Sequence, residues 1–289
     1  METETKKETA EYKDVESQII DSPEGEFRIP EGADIDVSVS ETPDKKLSIT
    51  ETVTVDEHEY LECEKRWVFL LLMMVGGFFG GFTYSIRGGV FCNAQTANFV
   101  LMAVQLGQGN WRKALYYLLP ASAYLLGTII SEFLPKHINR RKIVRWDTAF
   151  VAFEMAWIFA LGFVPDSAPP QICQVAVNFI ASMQFNTFRQ AKKIPMATTF
   201  CTNHVRQVGS NLVKWLRSGN KEARGKMFAH LLMIGSFIAG AVVSTFICGY
   251  LGGKTIWCAD ILLLIVFFAL LRADLGEEHD KLDVVPHGH

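Results

Sequence analysis

An all-α membrane protein is the fold class this sequence predicts: six transmembrane helices plus two polar short or re-entrant segments, arranged as two inverted repeats. Three observations predict it. Runs such as WVFLLLMMVGGFFGGF and ILLLIVFFALL leave no polar face for water. Lys and Arg gather in a few short stretches between such runs, as they do beside membrane spans. Features of the first half of the chain recur in the second at a nearly constant spacing.

The 289 residues divide unevenly. Residues 1–62 hold nineteen acids against six bases, a net charge of −13. Rich in Glu, Asp, Thr, Ser and Pro, that stretch buries too little apolar area to offset the entropy of ordering, and a disordered acidic tail is expected. Its fragments DIDVSVS and LSITETVTV alternate apolar and polar residues, which leaves a short strand or an interaction motif open. The opening METETKKETAEYKD has no apolar core or cleavage site, so insertion is expected to rest on the internal helices. Residues 273–289 form a short acidic C-terminal tail, and residues 63–272 between the tails carry a net +14. Six cysteines, at 63, 92, 173, 201, 248 and 258, lack CxxC pairing and His neighbours at metal spacing. They read as buried free thiols.

A spanning helix needs about 20 mostly apolar residues. Six stretches qualify: 67–86, 113–134, 146–164, 170–189, 227–250 and 255–271. Two more, 90–107 and 195–213, are long enough yet rich in Asn, Gln and Thr, with Arg206 in the second. Lipid alone would not hold them, because polar groups at membrane depth must line water or be covered by protein. The 135–145 loop carries five bases and the stretch 189–226 nine, which places both in the cytoplasm by the positive-inside rule. The 165–169 loop has none and 251–254 only Lys254, so both are expected outside. Both termini are then cytoplasmic, in a multi-pass protein of the cell membrane. Arg87, Arg112 and Lys113 fall on the outer face, a mild departure from the rule.

The repeat is read from particular residues. Tyr84 and Arg189 end the first and fourth spans, 105 residues apart, and Thr96 matches Thr202 at 106. Gly109-Asn110 matches Gly219-Asn220 at 110. Ala123, Gly127 and Ser131 make a small-residue stripe that Ser236, Gly240 and Ser244 repeat at 113. Such stripes, with Gly76/Gly80 and Gly77/Gly81, are first of all helix-packing surfaces. The halves are about 65–165 and 168–272. With three crossings each, the second is inverted, and polar segments at matching places of inverted halves point to a transport site. Interfacial amphipathic helices in an old duplication without transport remain the plainer alternative.

The blocks GGFFGGFTYSIRGGVFCNAQTANFV, SMQFNTFR and ATTFCTNHVR resemble the YoaK-like family, multi-pass membrane proteins of bacterial type defined by a domain of unknown function. The resemblance covers about 65–272. Gly80-Gly81, Thr96-Ala97-Asn98 and Thr202-Asn203 depart from the family's usual Asp-Ala, Thr-Gly-Asn and Thr-Gly. The resemblance implies fold and membrane location and supplies no substrate.

Site residues therefore come from the sequence itself. Glu154 lies eight residues into its span, about 12 Å deep, where an acid costs about 2.5–3.5 kcal/mol and must face the interior. Asn93, Gln95, Thr96, Asn98, Gln184, Asn186, Thr202 and Asn203 carry oxygens suited to a polar solute or ion, or to one another. Arg189 and His204, with Arg206, gather on the second polar segment and its approach, where lipid contacts also explain them. Asp147 and Asp260 fall nearer span ends. No phosphate loop, HExxH or CxxC occurs, so neither enzyme chemistry, cofactor nor metal is expected, His287-Gly288-His289 being a weak hint on a tail. Nucleic acid is disfavoured, since the bases line membrane edges and the long tail is acidic. The reading is a small-solute transporter or permease in the lipid bilayer, its polar cavity between two inverted halves and its solute unknown. The alternative is a non-transporting scaffold or sensor that recruits a protein partner through the acidic tail.

Overall fold

The computed structural model describes residues 60–139, 143–284 and 286. The expected disorder of the N-terminal tail falls almost wholly outside the described residues, as do Arg140, Arg141, Lys142 and the terminal histidines. What is described is nearly all helix. Three stretches are long and apolar enough to cross a membrane: Arg66–Ile86, Trp111–Asn139 and Lys221–Leu275.

Helix α1 (Arg66–Ile86) starts after the extended Lys65 and ends at Arg87. A break of eight residues leads to α2 (Gln95–Gly107), which at 13 residues spans only about 20 Å. A short α3 (Trp111–Tyr116) and a long α4 (Leu118–Asn139) follow, with a discontinuity at Tyr117. Then come α5 (Trp146–Leu161) and α6 (Pro170–Thr187). A second break holds a two-stranded antiparallel hairpin, β1 (Gln190–Ala191) and β2 (Ile194–Pro195), with Gln190 opposite Pro195. Helices α7 (Thr202–Ser218), α8 (Lys221–Leu251) and α9 (Trp257–Leu275) complete the element order. Each of the eight sequence-derived segments contains a helix, and the two polar ones begin late, at Gln95 and Thr202, because residues before them are spent on the breaks.

The turns Gly109-Asn110 and Gly219-Asn220 share a device. Both glycines adopt φ near +70°, at +76° and +65°, which lets the chain reverse between helices without a Cβ penalty. Asn220 then caps α8 by accepting from Ala223 N at 3.0 Å.

Packing follows the small residues. Helix α1 lies most extensively on α8, and α4 on α6. A Cβ on Gly77 would strike the Phe237 carbonyl, one on Gly81 would sit 2.7 Å from the Ala241 carbonyl, and one on Gly240 would strike the Met74 carbonyl. Ser236 donates across the same seam to Leu70 O at 2.6 Å. The paired positions rise together, so α1 and α8 are parallel. The Ala123–Gly127–Ser131 stripe does the same for α4 and α6: Gly127 faces Phe179 and Ser182, and Ser131 accepts from Asn186 at 2.9 Å. Glycine inside a helix costs about 1 kcal/mol relative to alanine, and backbone-to-backbone approach is what repays it here. Helices α5 and α9 are antiparallel, since Trp257 at the start of α9 donates to Phe159 O near the end of α5 at 2.9 Å. Outward faces are apolar, with Leu125, Phe133, Leu232, Val242, Phe246, Ile261 and Phe268 exposed, as suits helices bathed in lipid.

A buried arginine closes each end of the helix set. Arg145, fully buried, binds Asp274 (3.1 Å) and Glu278 (2.5 Å) and lies 3.5 Å from Asp147. Burial opposes its charge, but these carboxylates outweigh burial and push its pKa up. Beside it, burial and the nearby Asp147 carboxylate hold the Cys63 thiol well above its usual range. At the other end Arg87, also buried, donates to Val164 O and Pro165 O at 3.2 Å each and meets Asp166 at 3.3 Å. Sequence alone had counted Arg145 as a loop charge and Arg87 as an outer-face oddity; each is a tie between helix ends.

Candidate functional site

The two breaks meet in the middle of α1. Gly76 is the eleventh residue of that 21-residue helix, and its missing side chain lets Thr198 and Thr199 of the second break press against it. From the first break, Asn93 donates its amide both to Gly76 O (3.5 Å) and to Thr199 O. Residues 93 and 199 stand 106 apart, the spacing that relates Thr96 to Thr202. Thr198 and Thr199 are fully buried and neither hydroxyl has a hydrogen-bond partner among the described residues. On the neighbouring α6, Gln184 donates to Leu72 O at 3.1 Å and leaves its Oε1 without a partner.

The remaining polar residues fall into separate groups. Gln95 donates to Cys92 O (3.3 Å) and to Asn178 Oδ1, and the buried Asn98 donates to Gln95 Oε1 at 3.1 Å. Asn186 and Arg189 belong to a tie between α4 and α6: Arg189 meets Glu132 at 2.5 Å and donates to Asn186 Oδ1 at 2.8 Å. Thr96 and Thr202 are exposed at the starts of α2 and α7, and Asn203 accepts from the exposed Arg206 at 3.0 Å. A cleft of about 590 Å³ lies elsewhere, where Asp166, Lys254 and Trp257 line the space between the 162–166 loop and the start of α9.

His204 has a partner that sequence reasoning missed. Its Nδ1 lies 2.9 Å from Nδ1 of His230 on α8, and its Nε2 lies 2.9 Å from Ala197 O. A carbonyl only accepts, so Nε2 carries the proton, Nδ1 accepts, and Nδ1 of His230 donates. The pair fastens the second break to α8.

Glu154 is fully buried on α5, and neither carboxylate oxygen has a hydrogen-bond partner among the described residues. Its electrostatic neighbour is another acid, Asp260 on α9, whose Oδ1 also lacks a partner. Neither Arg189 nor Arg206 serves Glu154. An acid without a base in an apolar seam is costly to bury, and such a group within a span is a candidate for a functional role. Asp260, read from sequence as an acid near a span end, thus lies on the helix that packs against the helix of Glu154. A signal existed: Glu154 and Asp260 are themselves 106 residues apart.

Among the described residues no group of three or more His, Cys, Asp or Glu is placed to hold a metal. All six cysteines are free, four of them buried. Comparison with curated proteins and with solved structures finds no match for the chain. A family model described as "Protein of unknown function (DUF1275)" matches residues 68–269, which takes in α2 to α8 whole and all but the ends of α1 and α9. Its span coincides with the region whose motifs resemble the YoaK-like proteins, and the chain belongs to this uncharacterised family.

Proposed function

We propose that the protein is a membrane permease for a small solute, built from two inverted three-span halves. The observation that carries this reading is the meeting of the two helix breaks at Gly76, midway along α1. Broken, polar segments at matching places of two halves are where secondary transporters bind substrate near the bilayer midplane.

The packing supports the inverted arrangement. The first helix of each half lies on the second spanning helix of the other, α1 on α8 and α6 on α4. The third helices, α5 and α9, lie on one another. The first two pairs are parallel and the third antiparallel, as six alternating crossings require. In this reading the Arg145 end is cytoplasmic, the Arg87 end faces out, and the protein is not an enzyme. Glu154, an intramembrane acid without a base, is the coupling group and carries a proton through the cycle together with Asp260.

The test is uptake by the purified protein in liposomes, with an inward pH gradient and a panel of small labelled solutes. Concentrative uptake of at least one solute is expected, and Glu154→Gln should abolish accumulation while leaving exchange. No protein-dependent flux of any solute, with or without a gradient, removes the permease reading.

A further inference from the structure

The place where the breaks meet has an electrostatic sign. Helix α2 begins at Gln95, two residues after Asn93, and α7 begins at Thr202, three residues after Thr199. Both helices therefore start within three residues of the Asn93–Thr199 contact. Neither start is capped by a side chain; in α2 Ala97 N–H turns back to Ala94 O at 3.0 Å, and the earlier N–H groups of both first turns have no side-chain cap. A helix start carries about half a positive charge and is a ready anion site.

A second, independent observation concerns the two threonines that press on Gly76. The hydroxyls of Thr198 and Thr199 are fully buried and unpartnered. Each is an O–H donor with no acceptor among the described residues, a situation that costs about 1–3 kcal/mol in a protein interior. Charge in the breaks agrees: 87–94 contains Arg87 and 188–201 contains Arg189, Lys192 and Lys193, with no acid in either. Those bases are engaged elsewhere, Arg87 at Asp166, Arg189 at Glu132, and both lysines over the Tyr60 ring. The donors left at the crossing are neutral dipoles, which suit a single diffuse charge better than a multivalent one.

Resting on the permease reading for its place in the protein, we propose that the crossing beside Asn93, Thr198 and Thr199 binds a small monovalent anion, and that this anion is the transported solute. Gly76 makes the site by admitting the second break to the middle of α1. The amide of Asn93 holds the two breaks together, and the Thr198 and Thr199 hydroxyls with the two helix starts supply the donors. Glu154 and Asp260, on the separate α5–α9 seam, carry the proton that moves with it.

The experiment reads binding without transport. Purified full-length protein in detergent and potassium gluconate is titrated with potassium chloride, nitrate or acetate while its thermal midpoint is followed. At least one of the three should give a saturable rise, with chloride and nitrate against acetate separating an inorganic anion from a carboxylate. Thr199→Val and Thr198→Val should each weaken that response about tenfold, the worth of a hydrogen bond to a charged group. Their midpoints in gluconate should stay within about 2 °C of the parent. Absence of a saturable response to all three salts in the unaltered protein overturns the proposal, so it stays falsifiable even if a variant fails to fold. Coincident titrations of the parent and both valine variants overturn it too. Anion binding without flux in liposomes removes the permease and leaves the site; gradient-driven uptake of a neutral solute without any anion response removes the site and leaves the permease.

Discussion

The α1–α8 seam and the α5–α9 seam join helices in opposite ways. In the first, glycines bring backbone against backbone, and a Cβ at Gly77, Gly81 or Gly240 would meet a carbonyl. In the second, side chains fill the space: Trp257 stacks on Phe159 at 5.8 Å, Leu263 and Val266 are buried, and Glu154 sits near Asp260 without a base. What fixes the first seam is backbone contact, which does not change state. The second contains groups whose charge depends on a proton. Permanence and responsiveness are thus assigned to different helix pairs, although both lie in one apolar core.

Adding a side chain should break the first seam. Gly240→Leu drives its Cβ into the Met74 carbonyl, and overpacking of that severity should cost about 3 kcal/mol or more. Gly235→Leu on the same helix points into open space and should be nearly silent. Equal losses of folded, monodisperse protein from the two would show that α8 resists any bulk, whatever its seam.

The second seam should fail first at its tied end. Arg145→Met strands Asp147, Asp274 and Glu278 without their counter-charge, at a cost of about 3–5 kcal/mol. A thermal midpoint that barely moved would mean that those carboxylates take protons as easily as they take the arginine.

In its middle the same seam should tolerate neutralisation. Glu154→Gln replaces a buried acid that no base balances with a neutral amide, so stability should hold or rise by up to about 1 kcal/mol while proton-driven accumulation is lost. Several kcal/mol of destabilisation would expose a hidden partner and erase the contrast between the seams. Smallest of all, Ser236→Ala deletes one hydrogen bond to Leu70 O and should cost about 0.6 kcal/mol, the usual worth of such a bond between membrane helices.

What sequence could read was whatever a single helix displays. The stripes Ala123–Gly127–Ser131 and Ser236–Gly240–Ser244 announced packing faces, and packing faces they are. Glu154 was readable by depth alone, because its burial follows from its place along α5. Partners across helices were not readable, since they depend on which faces meet. His230 drew no reading from the sequence, because its partner is set only where α7 folds back against α8 through Gly219. Arg145 looked like a topology signal because a loop charge normally meets water, and only the return of α9 brings Asp274 to it. The late starts of α2 and α7 escaped notice for a similar reason: the breaks are held by contacts to Gly76, and residues 90–94 and 196–201 contain no Gly or Pro to mark where the helix stops.

The parallel pairing of α1 with α8 also sets a timetable. After Ile86 leaves the ribosome, 134 residues must be made before α8 begins at Lys221. At roughly 5–20 residues per second that is about 7–27 s during which the glycine face of α1 has no partner. Helix α4 waits far less, because α6 begins 31 residues after Asn139. The newborn chain therefore completes its inner pair first and its outermost pair nearly last, and α1 remains the segment most in need of shelter, by lipid or by insertion machinery, until synthesis is almost done.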